Sequence, residues 1–313
     1  MTAGTRQQRS ARPGDAGNRV ELPGFNRAII AIVDSGFDLR HPNLNYVDRA
    51  LHFNAEEYLL RRRGKFGSSW RGPYDASFGL RSVPHGTSVA GAAAGRRRDA
   101  RDPALDSPAP GFPVMPIKVR GNRNPPPDQV VAAIHWAVEH DARVINFSFK
   151  VAATPALVAA IEFAWERGLV LCAAAGNYSE RYPFRGVDFP ARHPRVIAVG
   201  AIDRRGRRKR PYPRLYLNWG SQYGDELDVV ARGVEVRSLD DLGVFGALPG
   251  DFAQHSAGTS IAAPQVAGLA ALLIGARPEL TNQQVRDIIE GTAIKLAGYQ
   301  FRQVPGRKWR WNR

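Results

Sequence analysis

Five short apolar runs punctuate the chain: Ala28 to Val33, Val114 to Val119, Val144 to Phe149, Leu169 to Ala174 and Val196 to Ala201. A run without polar alternation suits a strand buried on both faces of a parallel sheet. Between the runs, apolar residues fall at helical spacing. Val130, Val131, Ile134, Ala137 and Val138 mark one helix face, with Asp128 as its candidate cap after the extended Pro125 to Pro127. Thr154 and Pro155 start a second helix that runs to about Arg167 and stops at Gly168. Thr281-Asn282-Gln283-Gln284 has the form of a capping box ahead of Val285 to Gly291. Strand then helix, repeated, predicts an α/β protein: a three-layer doubly wound fold with a mostly parallel central sheet.

The pattern divides the chain into a polar N-terminal arm (1–25), a single domain (26–300) with an insertion at about 51–84, and a basic C-terminal tail (301–313). Arg96 to Gly111 is a Pro- and Arg-rich loop, and both it and the insertion are expected to be surface excursions. With 313 residues, 43% of them hydrophobic and 23% charged, a sizeable core is available. The one cysteine, Cys172, excludes an intramolecular disulfide and any zinc site built on cysteines, and its apolar neighbours suit a core position. Met1 to Gly24 lacks the apolar stretch of a secretory signal, and no continuous run of about 18 apolar residues predicts a membrane span. A cytoplasmic chain is the expectation.

Charge adds a second theme. The formal net charge is +15, concentrated at Arg61 to Arg63, Arg96 to Arg98, Arg204 to Arg210 and Arg307 to Arg313, where Trp309 and Trp311 alternate with basic residues. Such clusters are either solvated loops or a grip for nucleic acid or another acidic partner.

Three segments carry chemistry that packing alone does not demand. Asp34-Ser35-Gly36 ends the first buried run, where α/β sheets place their ligands, so its carboxylate is either a reacting partner or a strand-end cap. His85-Gly86-Thr87 opens a helix of small residues. Gly258-Thr259-Ser260-Ile261-Ala262-Ala263-Pro264 opens another, in which Pro264 is expected within the first turn, where its missing N–H costs nothing. The dipole of that helix would favour negative charge near Ser260.

Together these segments resemble the three signature motifs of the subtilisin-like serine peptidases, in that family's order of Asp, His and Ser. The resemblance extends over roughly residues 26 to 295 and takes in His41-Pro42-Asn43-Leu44, Ala173-Ala174-Ala175-Gly176-Asn177 and Phe189-Pro190-Ala191. It implies a nucleophile at Ser260, a general base at His85, an orienting carboxylate at Asp34 and an oxyanion donor at Asn177. It also implies an extended polypeptide substrate lying along Ser148, Phe149 and Lys150 on one side and the loop near Gly121 to Asn124 on the other, with Gly176 and Asp188 beside its primary pocket. Asp188 would then favour basic residues before the cut bond, unless Lys150, where the family commonly has glycine, neutralises it.

Other departures are Gln265, Ile261 and Arg232, none of them at the three motifs. Asn43 stands where an aspartate is frequent, and Arg96 to Arg98 follow the His85 helix, so no calcium, no other metal and no cofactor is expected. The 33 residues before Asp34 are too few for a folding-assisting prodomain. His255 is expected to be a structural loop residue, because His85 already carries the base motif. The alternative reading is a catalytically weak or inactive family member that binds peptides or nucleic acid.

Overall fold

The computed structural model describes residues 27–63, 85–98, 104–120, 124–179, 186–211, 219–239, 252–296, 300–304 and 307–312, the side chains of 252–255 and 300–312 excepted. The regular structure opens with β1 (Ile29–Asp34), β2 (Asn45–Tyr46), a 3₁₀ turn (Arg49–Leu51), β3 (Phe53–Asn54) and α1 (Ala55–Arg62). Next come α2 (His85–Ala94), β4 (Pro113–Lys118), α3 (Pro127–Glu139), β5 (Ala142–Phe147), α4 (Pro155–Glu166) and β6 (Val170–Ala174). β7 (Val196–Ile202), β8 (Val229–Arg232), β9 (Val236–Leu239), β10 (Phe252–Ser256), α5 (Thr259–Ala276), α6 (Asn282–Thr292), β11 (Gln300–Val304) and β12 (Arg307–Asn312) complete the order.

Eight strands form one sheet in the order β2-β4-β1-β5-β6-β7-β8, with β3 also on β4, and every pairing in it is parallel. Two-residue periodicity explains why the apolar runs are continuous. Ile30 and Ile32 enter the core cluster shared with α2, α5 and α6, whereas Ala31 and Val33 enter the one shared with α3 and α4. Helices therefore cover both faces, giving the expected three layers. From β1 the chain turns to β4 on one side and β5 on the other, so the carboxyl end of β1 is a topological switch point. Asp34 is its last residue.

Thr154 caps α4 by accepting from the Leu157 N–H at 3.2 Å, and Thr281 and Gln284 close the capping box of α6. Asp128 does not cap α3. Pro126 holds that position with no side-chain bond, and Pro127 supplies the pre-set φ of the first turn, leaving the Asp128 carboxylate to pair with Arg63 at 2.6 Å.

Part of the 51–84 insertion is ordered as β3 and α1, held because Trp136 of α3 stacks on Phe53 with centroids 4.5 Å apart; residues 64–84 lie outside those described. In the C-terminal tail, β11 and β12 pair antiparallel. The polar arm, residues 1–25, lies outside the described residues. Among the described residues α5, 18 residues without a charge, is long and apolar enough to cross a membrane. Its burial between α2 and the sheet makes it a core helix.

Candidate active site

The carboxyl end of β1 brings Asp34 to the amino end of α2. His85 Nδ1 lies 2.9 Å and 3.0 Å from the two Asp34 carboxylate oxygens. Asp34 is buried, and its Oδ1 also accepts from the Ser35 N–H at 2.7 Å. Thr87 completes the junction, accepting from the Asp38 N–H at 2.8 Å and so fixing the turn after β1 against α2. A carboxylate at Nδ1 holds the imidazole with its proton on that nitrogen, leaving Nε2 as acceptor. Nε2 stands 3.2 Å from Ser260 Oγ. Burial works to depress the His85 pKa, but the charge of Asp34 and its hydrogen bond together raise it above the ordinary histidine value.

Ser260 is the second residue of α5, where backbone N–H groups have no helical acceptor. Gly258 caps this helix at φ 143°, in the region that favours glycine. A Cβ there would stand 2.8 Å from Ser260 Oγ and 3.4 Å from Asn177 Nδ2, so its absence keeps open the space those groups share. Asn177 Oδ1 is occupied by the Thr259 N–H and hydroxyl, both at 2.9 Å, and Thr259 Oγ1 accepts in turn from the Gly176 N–H at 3.1 Å. This network orients the Asn177 amide with its NH₂ turned toward that open space. Thr259 has no role assigned by sequence reasoning, although it sits inside the serine motif.

Pro264 is the sixth residue of α5, beyond the first turn, which corrects the sequence expectation. Lacking an N–H, it leaves the Ser260 carbonyl without its helical donor. Ser148 supplies the replacement, donating from Oγ to Ser260 O at 2.7 Å while accepting from Asn146 Nδ2 at 2.9 Å. The buried Ser148 side chain therefore braces the Ser260 turn. Phe149 is likewise buried, edge-on to Phe147. The ladder pairing of β5 ends at Phe147, and Ser148 to Lys150 continue past the sheet edge. Gly121 to Arg123, expected opposite, lie outside the described residues.

Gly176, at φ 111°, is crowded on its open side: a Cβ would fall 1.9 Å from Gln222 Oε1 and 2.4 Å from Asp188 Oδ2. Desolvation raises the Asp188 pKa above the usual carboxylate range, more than the Gln222 hydrogen bond and the charges of Lys150 and Arg192 lower it. Gln222 Oε1 is buried without a hydrogen-bond partner. No sequence signal singles out Gln222. Lys150 is exposed, its ammonium 4.9 Å above the Tyr178 ring.

His255 falls in β10, its side chain outside those described. Cys172 is fully buried, and desolvation pushes its thiol pKa far up, consistent with a core residue. The Arg232 side chain pairs with Asp106 at 3.3 Å, and Gln265 donates to Arg232 O at 2.6 Å, so both departures from the family pattern are tied to the scaffold.

Asn43, a neutral amide, adjoins the arginines that follow α2. Asn43 Nδ2 donates to Arg96 O at 2.8 Å and the Arg96 N–H to Asn43 O at 2.9 Å, with the exposed Arg97 and Arg98 adjoining. The Asn43 amide thus stands in a positively charged surrounding. Among the described residues no group of three or more His, Cys, Asp or Glu could hold a metal.

A doubly wound parallel sheet with these three side chains meeting at its carboxyl edge is the architecture of the subtilases, and the chain belongs to that family: the Subtilase family model matches residues 26–307. It is 33% identical over 270 residues to a subtilisin of Bacillus pumilus, covering 85% of this chain and 84% of that protein. Identity to subtilisin E of Bacillus subtilis is also 33% over 270 residues, with 85% of this chain and 60% of that longer protein covered. Among solved structures, a protease of Pseudoalteromonas arctica superimposes with a TM-score of 0.68 at 25% identity, covering 87% of this chain and 84% of that one.

Proposed function

We propose that the protein is a serine endopeptidase that hydrolyses polypeptides through an acyl-enzyme. The observation that carries this reading is the continuous relay Asp34, His85, Ser260, with contacts of 2.9 Å and 3.2 Å. In the forward step the Ser260 hydroxyl donates its proton to His85 Nε2 as Oγ bonds to the substrate carbonyl carbon. The displaced electron pair rests on the former carbonyl oxygen, met by Asn177 Nδ2 and the Ser260 N–H. Asp34 stabilises the imidazolium without taking its proton. Collapse breaks the C–N bond, and His85 returns the proton to the leaving amine. Water, activated by the same imidazole, then releases the acyl group and restores Ser260.

A fluorophosphonate probe tests the reading. Labelling of the wild type and its loss in Ser260→Ala are expected; a folded wild type that stays unlabelled overturns it.

The substrate pocket beside Gly176 is proposed to prefer basic residues before the cut bond. What supports this reading is the half-buried Asp188 carboxylate beside Gly176, a charge that would attract a cationic side chain. Peptides differing only at that residue decide the point: faster hydrolysis of Arg than Phe is expected, with the preference lost in Asp188→Asn. Equal wild-type rates remove the proposal.

A further inference from the structure

The basic run Arg204 to Arg210 has no part in hydrolysis as described, and its side chains divide between the surface and the interior. Arg204 pairs with Glu235 at 3.3 Å and Arg207 with Asp203 at 2.8 Å. Arg208 and Lys209 turn inward. The Arg208 guanidinium lies 4.3 Å above the Tyr223 ring and donates to Ser179 Oγ at 3.1 Å and to Ser221 O at 2.9 Å. Lys209 is 3% exposed, its ammonium 4.9 Å above the Trp219 ring and bonded to the carbonyls of Trp219, at 2.9 Å, and Arg210. Burial of an ammonium is costly, and lowers its pKa here, unless acceptors compensate. Backbone carbonyls do so.

Both cations therefore hold one segment, Trp219 to Gln222, and that segment backs the oxyanion donor. The Gly220 N–H donates to Asn177 O at 3.2 Å, the Ser179 N–H to Gly220 O at 3.2 Å and the Gln222 N–H to Gly176 O at 2.9 Å. Thr259 fixes the Asn177 side chain, while Trp219 to Gln222 fix its backbone. We infer that Arg208 and Lys209 are positioning residues: a pair of inward cations that clamp Trp219 to Gln222 and thereby aim Asn177 Nδ2 before substrate arrives.

The physical requirement is tight, since a misplacement of about 1 Å at a reacting centre costs about 100-fold in rate. Oxyanion donors act on the transition state and contribute little to ground-state binding. The inference rests on the serine peptidase reading and is tested with the full chain on a chromogenic peptide. Lys209→Met is expected to lower kcat by about 10- to 100-fold with KM nearly unchanged, and Lys209→Arg to restore part of it. The same substitution in an Asn177→Ala background is expected to cost little more, because the group it positions is gone. An equal loss in both backgrounds would assign Lys209 to general fold maintenance and overturn the inference. Arg208→Gln, at a half-buried position, takes the same cycle if Lys209→Met fails to fold; an unchanged kcat in that variant also overturns it. A wild type that hydrolyses nothing strikes instead at the peptidase reading, so the two failures are distinct.

Discussion

At His85 the raised pKa has a kinetic sign. The base works only when neutral, so kcat/KM is expected to rise with pH through a limb above 6.5 rather than at or below it. A pH profile checks this, and Asp34→Asn is expected to move the limb down and reduce turnover by about 10⁴-fold. The sign for stability is opposite: because folding raises this pKa, the Asp34–His85 contact stabilises most at low pH and less as pH rises through the folded value. Ser148 makes a second residue-level prediction. Removing its hydroxyl strands a carbonyl that Pro264 has already deprived of a helical donor. Ser148→Ala is expected to cost about 1–3 kcal/mol in chemical denaturation and to lower kcat as well, since the unsupported carbonyl belongs to Ser260 itself. Full retention of both would show that the brace is dispensable.

Elements were legible in the sequence wherever one local rule governed them. The five buried strands were readable because burial on both faces forces unbroken apolar runs, and the α4 and α6 caps because capping is chemistry within four residues. What escaped reading depends on partners distant in sequence. Nothing near Pro264 announces that a serine 116 positions earlier will satisfy the freed carbonyl, and Gln222 reaches Gly176 only through tertiary folding. The segments of Asp34, His85 and Ser260, which the structure brings together, were readable as motifs, but the aim of the Asn177 amide required Thr259 and the segment behind it. An element-level prediction follows from α6. Arg286, nearly buried, joins it to Asp228 at 2.9 Å, to Glu290 at 2.5 Å and to Pro194 O, while Asp228 Oδ2 accepts from the Ala198 N–H at 2.8 Å. Arg286→Met would leave two partly buried carboxylates without their cation, so a loss of about 1–3 kcal/mol in urea denaturation is expected. A change under about 1 kcal/mol would mean the pair is already solvated.

For the whole molecule, every pairing between the named strands of the large sheet is parallel, and Asp34, His85 and Ser260 meet across separations of 51 and 175 residues. Parallel pairings close long loops before they gain contacts, and chains of this kind fold slowly and linger in open forms. In a peptidase, open chains are also food. Molecules that reach the native state early will digest siblings still searching for it, so recovery from denaturant should fall as protein concentration rises and fragments should accumulate on gels. Ser260→Ala should refold with a yield far less sensitive to concentration. The same topology that assembles a cutting edge from remote pieces thus makes each newly made chain vulnerable to those completed before it.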